Sequence, residues 1–200
     1  LGTPPAQTFL AVAQWLALTE KIRGTLADFH RQYPLRAGLP REELKSRLGL
    51  APRVFDAVIE RAAAEKILAA SEDLVRQPDF AVQFPAAIQV KVNAFIGQLE
   101  KTPYAPPSAQ DALATLGAET LAALIAQKKI VRVNESVVFA PRALASIQQW
   151  VVAEIGARGQ VTAAELRDHF NTSRKYAIAL LEYLDEMRVT KRVGDARVLR

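Results

Sequence analysis

The chain has 200 residues, half of them apolar and 24% charged, with a net charge of +5, a composition that supports one or two domains with buried cores. It contains no cysteine, which excludes disulfides and thiolate metal sites, and its two histidines, His30 and His169, lie too far apart in sequence to argue for a metal site. No apolar run approaches the roughly 20 residues of a membrane span, and residues 1–17, with Pro4 and Pro5 and no basic start, do not read as a signal peptide, so a cytoplasmic chain is expected.

Taken in chain order, residues 1–17 read as the remnant of an upstream element or a linker, and one plan then repeats three times. The first copy, 18–81, has a long helix over 18–32 and a second helix opened by Pro40 and the run Arg41, Glu42, Glu43. A third follows Pro52, and a weak hairpin spans Ile67 to Arg76. The second copy, 82–141, has helices near 85–100, 108–116 and 118–128, with Ser108 as N-cap, and a hairpin turning at Asn134-Glu135. The third, 142–200, has helices near 142–156, 162–170 and 173–187, caps at Thr162 and within Asn171 to Ser173, and a two-residue turn at Gly194-Asp195. Ile67, Ile130 and Val189 open the three strand pairs, which sets a repeat of about 60 residues. Three short helices closed by a β-hairpin describe a winged helix. The expected fold is therefore mainly α with small β-hairpin wings, a tandem array of winged-helix (helix-turn-helix) domains. Short linkers containing Pro78, Pro85 and Pro141 make an elongated, fairly stiff arrangement the expectation.

Charge is unevenly spread. Residues 1–80 and 81–156 each carry +1, whereas 157–200 carry +3, and residues 188–200 hold five cations against Asp195 alone. In the last predicted helix, Ala177, Leu180, Leu181 and Leu184 fall at i, i+3, i+4 and i+7, a stripe for the domain's own core. Its outer face carries Glu182, Asp185 and Glu186, which phosphates along a DNA groove would repel. Its first turn has Ser173, Arg174, Lys175 and Tyr176, cations and an aromatic ring beside free backbone N–H groups. Cations at a helix N-terminus and acids at its C-terminus oppose the helix dipole. The Gly194-Asp195 turn also sets Arg192 opposite Arg197, a like-charge pair across strands. One polyanion lying against the helix start and the wing would supply both missing counter-charges, and a cluster confined to those two places suits the tip of a folded RNA better than a long duplex.

Other clusters carry less. No GxxxxGK[ST] or GxGxxG run is present. Asp168, His169 and Ser173 are routine residues of a helix end and cap, and His30, Trp15 and Trp150 read as packed side chains. The cations Arg36, Arg41, Lys45, Arg47 and Arg53 are interleaved with Glu42, Glu43 and Asp56, which reads as a solvated face.

The run "TSRKYAIALLEYLDEMRVTKRVGDARVL" from Thr172 resembles the end of the bacterial selenocysteine-specific elongation factor (SelB) family, whose C-terminal part is a string of winged helices. "FHRQYPLRAGLPREELKSRLGL" from Phe29 is similar to the second of that string, and "YAPPS" from Tyr104 to the third. The resemblance implies a non-enzymatic mRNA-binding module of a translation factor, whose last winged helix grips the selenocysteine insertion hairpin beside an in-frame UGA. It implies RNA contacts at Ser173, Arg174, Lys175 and Tyr176, and on the wing at Thr190, Lys191, Arg192 and Arg197. The GTPase and tRNA-binding domains of the family, with their GTP and magnesium, would lie upstream; no cofactor is expected here, and the ribosome is a further partner the resemblance implies. The family pattern usually has glycine at the position of Arg188 and arginine at that of Lys191. Two rivals remain on the residues alone: a DNA regulator of the same fold, disfavoured by the acidic helix body, and a protein-interaction scaffold without nucleic-acid binding.

Overall fold

The computed structural model describes residues 12–200, which fall into two compact units, one ending at Gln83 and one beginning at Phe84. In the first, α1 (Val12–Gln32) turns Trp15, Thr19, Ile22, Leu26 and Phe29 inward, the spacing of a helix with one buried stripe. This helix starts earlier than 18, because Trp15 belongs to the core; of the segment read as a remnant, residues 1–11 lie outside the described residues. Helices α2 (Arg41–Leu48) and α3 (Pro52–Ala64) follow, the first stopped by Gly49 in the left-handed conformation (φ 67°) and the second opened by Pro52. Strands β1 (Leu39–Pro40), β2 (Ala69–Ala70) and β3 (Leu74–Arg76) form an antiparallel sheet in the order β1-β3-β2. Gly38 permits that pairing, since a Cβ there would lie 2.7 Å from the Val75 carbonyl oxygen.

His30 is buried on α1. Its ring stacks on Phe80 at 3.5 Å and its Nε2 accepts the Gln77 N–H at 3.3 Å, while Nδ1 has no hydrogen-bond partner among the described residues. Burial, and then the Arg76 charge, hold its pKa below the ordinary value. The folded chain therefore keeps the neutral imidazole, and the unfolded chain takes up a proton as pH falls through about 6.5. Stability of the first unit is expected to be full at pH 7.5, to fall on acidification below about 6.5, and to level off below the lowered folded pKa. Urea unfolding of the wild type and His30→Leu at pH 7.5 and 5.5 checks this, the variant losing less on acidification.

The second unit contains two repeats. The first comprises α4 (Ala86–Lys101), α5 (Ala109–Leu116), α6 (Ala118–Ala126) and the wing β4 (Val131–Asn134) and β5 (Val137–Phe139). Its turn is Glu135-Ser136, one residue later than expected, because the Asn134 side chain accepts the Ser136 N–H at 2.9 Å and so closes the turn from the strand side. Ser108 caps α5 through a capping box with Asp111. Ser108→Ala is expected to cost about 1 kcal/mol in thermal or urea unfolding.

The last repeat comprises α7 (Pro141–Arg158), β6 (Val161–Thr162), α8 (Ala163–Phe170), α9 (Arg174–Glu186), β7 (Thr190–Val193) and β8 (Ala196–Leu199), with sheet order β6-β8-β7. Ala177, Leu180, Leu181 and Leu184 are buried. They share one continuous core with Ile147, Val151 and Leu166, and with Val133, Val137 and Phe139 of the middle wing. That sharing is why the middle and last winged helices form one unit.

At the backbone level the three repeats end their third helix alike. Lys66, Lys128 and Arg188 take the left-handed conformation at φ 55°, 56° and 59° immediately before Ile67, Lys129 and Val189. Their amides close onto the carbonyls of Ala63, Ile125 and Asp185. Each is a cation at a helix C-terminus, where the dipole favours positive charge and offsets part of the cost of the strained backbone.

Candidate nucleic-acid interface

The site is built by the start of α9 and the wing. Ser173 Oγ accepts the Tyr176 N–H at 3.2 Å and fixes the first turn, which contains no acidic residue. Helix α8, packed against α9, is held by its own capping box at Thr162 and Glu165, and Arg158 bridges Glu154 and Glu165. The Thr162 hydrogen bonds lower the Glu165 pKa, so the box stays charged.

The wing turns at Gly194-Asp195, with Gly194 at φ 61°, and Arg192 lies directly opposite Arg197. This like-charge pair is relieved from inside the chain. Arg197 is 6% exposed, and its Nε donates to Asp185 Oδ2 at 2.7 Å. The other carboxylate oxygen of Asp185 accepts the Thr190 hydroxyl at 2.6 Å, and Thr190 is 1% exposed. One carboxylate at the end of α9 thus ties both wing strands to the helix. The acid that opposes the helix dipole has its counter-charge in Arg197, where the sequence reading looked to a polyanion.

Arg192 is exposed, its Nε donating to the Gly194 carbonyl oxygen at 2.9 Å and its closest carboxylate, Asp195, 3.8 Å away. Arg174 is exposed and has no ion pair among the described residues. Both line a groove of about 340 Å³ between α8, α9 and the wing, which Arg167, Ile178, Leu181, Glu182 and Asp195 also border. The groove therefore has four arginines on its walls, the fourth being Arg197 with its Asp185 partner, together with apolar side chains and two carboxylates, a set that can hold phosphate through charge-assisted hydrogen bonds and offer acceptors to base amino groups. Arg167, with a 2.7 Å bond from its Nε to Asp168, was not singled out in the sequence. Its only signal there is the basic last turn of α8, and a helix-turn-helix sets that turn beside the next helix.

Of the other expected contacts, Arg197 also lines the groove and the rest do not. Lys175 is exposed but does not line the groove, and Lys191, adjacent to Arg192 along β7, points to the opposite face of the wing. Ser173 serves as the cap. Tyr176 is half-buried: its hydroxyl donates to the Pro106 carbonyl oxygen at 2.7 Å and its ring meets Phe139 edge-on. Burial, and then Asp111, raise the phenol's pKa. Tyr176, Thr190 and Arg197 each have a polar atom bonded within the chain, the Tyr176 and Thr190 hydroxyls and the Arg197 Nε, and Arg197 also lines the groove.

Arg167 donates to Asp168, the His169 ring stacks on Trp150 at 4.4 Å, and Ser173 caps α9, the roles of a helix end and cap. In the first unit Lys45 pairs with Glu42, Arg47 with Glu43 and Arg41 with Asp56, and the Arg36 guanidinium lies 4.3 Å from the Tyr33 ring centroid. Among the described residues no group of three or more histidine, aspartate and glutamate side chains is placed to hold a metal ion, and no helix is long and apolar enough to cross a membrane.

Comparison with known proteins gives the same family at both ends of the chain. Two family models described as elongation factor SelB, winged helix, match residues 23–76 and 154–199, together half of the chain. A selenocysteine-specific elongation factor from Desulfomicrobium baculatum is 27% identical over 88% of this chain, which spans 29% of that relative's length. A bacterial selenocysteine-specific elongation factor structure covers 98% of this chain and 31% of its own, at 19% identity and a TM-score of 0.51, a likeness of fold. The mRNA-binding domain of elongation factor SelB from E. coli, solved in complex with SECIS RNA, is 23% identical over 58% of this chain and 99% of its own, with a TM-score of 0.47. Three helices and a wing recur through the described residues, and SelB winged-helix models match the first repeat and the last: the chain belongs to the SelB elongation-factor family.

Proposed function

We propose that this chain is the mRNA-binding part of a selenocysteine-specific translation elongation factor, gripping the selenocysteine insertion stem-loop next to an in-frame UGA through its last winged helix. The observation that carries this reading is the groove between α8, α9 and the wing, whose walls hold Arg174 and Arg192 exposed, the latter with only a 3.8 Å contact to the exposed Asp195, in a chain of the SelB family. In this reading Arg174, Arg192 and Arg167 hold phosphates, with Lys175 and Lys191 adding charge from either side. Ser173, Tyr176, Thr190 and Arg197 hold those groups in place. The winged helices bind and do not catalyse. The first two repeats act as the spacer to upstream GTPase and tRNA-binding domains, where GTP and magnesium would bind. The module works in the cytoplasm, with the ribosome as a further partner.

A grip through phosphates must weaken with salt. With three arginines on phosphates, log K is expected to fall against log salt with a slope of about −2 to −3. Fluorescence anisotropy of a labelled stem-loop at several potassium chloride concentrations measures that slope. Binding that is insensitive to salt would contradict the assignment of the groove.

A further inference from the structure

The two side chains that flank Arg174 at two residues on either side both leave the RNA face and cross to the middle winged helix. The Thr172 hydroxyl donates to the Tyr104 carbonyl oxygen, and the Tyr176 hydroxyl donates to the Pro106 carbonyl oxygen at 2.7 Å. Their acceptors sit on a braced loop. Ala105 N–H bonds the Thr102 carbonyl, Ser108 caps α5 and bridges to Val137 of the middle wing, and the Tyr104 ring packs on Phe170 at 4.5 Å. The Tyr176 ring also meets Phe139 of that wing at 5.9 Å, edge-on. The turn bearing Arg174 is thus clamped on both sides to an element about 70 residues earlier in the chain.

From this arrangement, which rests on the RNA reading above, we infer that Thr172 and Tyr176 are positioning residues for RNA binding: the middle winged helix splints the α9 start, and occupancy of the groove and closure of the 104–108 junction are thermodynamically linked. The two hydroxyls aim Arg174 without touching RNA. Apolar packing of Phe139 and the shared core holds the repeats together with or without these hydroxyls, so removing them acts on the aim of the turn rather than on the fold. Linkage then runs both ways, and a ligand in the groove tightens the junction.

The test compares the intact chain with Tyr176→Phe combined with Thr172→Val, against a labelled selenocysteine insertion stem-loop and against polyuridine of equal length. The double variant is expected to lose about tenfold in stem-loop affinity while its polyuridine affinity is unchanged, because loose electrostatic binding does not require an aimed arginine. In the wild type, stem-loop binding is expected to slow hydrogen exchange at the amides of Tyr104, Ala105 and Ser108, a readout that needs no variant. Unchanged stem-loop affinity in the double variant, an equal loss for both RNAs, or no response of those three amides would each overturn the inference. A wild type that does not prefer the stem-loop to polyuridine would instead remove the RNA reading itself, and the inference with it.

Discussion

Asp185→Ala is expected to cost the last winged helix about 2 to 4 kcal/mol, among the largest effects available to a polar substitution in this chain. Removing the carboxylate leaves the Arg197 guanidinium buried without a counter-charge and the Thr190 hydroxyl without its acceptor. Breaking a buried pair from one side costs about 3 to 5 kcal/mol, and the 24% exposure of the Asp185 side chain lowers that range because water reaches the site. Replacing both partners is a different matter. Asp185→Leu with Arg197→Met removes the two charges together and is expected to lose much less than Asp185→Ala. Urea unfolding of the three proteins measures this. Equal losses in the single and double variants would mean that the pair does not tie the wing to α9.

Arg174→Ala and Arg192→Ala carry the second large expectation. Each should weaken stem-loop binding by about 1 to 3 kcal/mol and make the salt slope shallower by about one. Among the described residues Arg174 makes no ion pair and Arg192 makes only the solvent-exposed 3.8 Å pair with Asp195, so folding stability should change by no more than about 0.5 kcal/mol. Lys191→Ala, on the far face of the wing, should have a smaller effect on affinity than either arginine. Anisotropy titrations with parallel thermal melts separate affinity from stability for all three variants.

Helices and wings were legible in the sequence because their signals are local. The apolar spacing of α9, the cap at Ser108, the proline at the start of α3 and the Gly194-Asp195 turn each act within a few residues. Strands β1 and β6 were not legible, because each is two residues long and exists by pairing with a distant strand, Leu39 with Val75 and Val161 with Arg197. The middle turn was displaced by one residue because an Asx-type bond from Asn134, rather than the strand pattern, closes it.

The same division applies to the groove. Opposition of Arg192 and Arg197 follows from the turn, and the structure has that register. What sequence spacing does not give is who answers each charge. Arg197 reads as a free cation until Asp185, twelve residues earlier, is found against it. Tyr176 reads as a ring available for stacking until its hydroxyl is found on a carbonyl 70 residues away. Arg167 becomes visible only once α8 lies beside α9 and both face the wing. Of the misplaced charges read in the sequence, Asp185 and Arg197 answer each other, whereas Arg174 and Arg192 stay exposed on the groove, where the proposed phosphates would meet them.

Recognition of a particular folded RNA by the groove is what the proposed function requires. Its most direct test is titration of the 200-residue chain into the labelled stem-loop that follows a selenoprotein UGA codon, beside a copy with its loop and bulge scrambled, at near-physiological salt. Tight binding to the native stem-loop, with the scrambled copy at least about a hundredfold weaker, is the predicted result. Equal, weak binding to both would contradict it and reduce the groove's arginines to a general electrostatic surface.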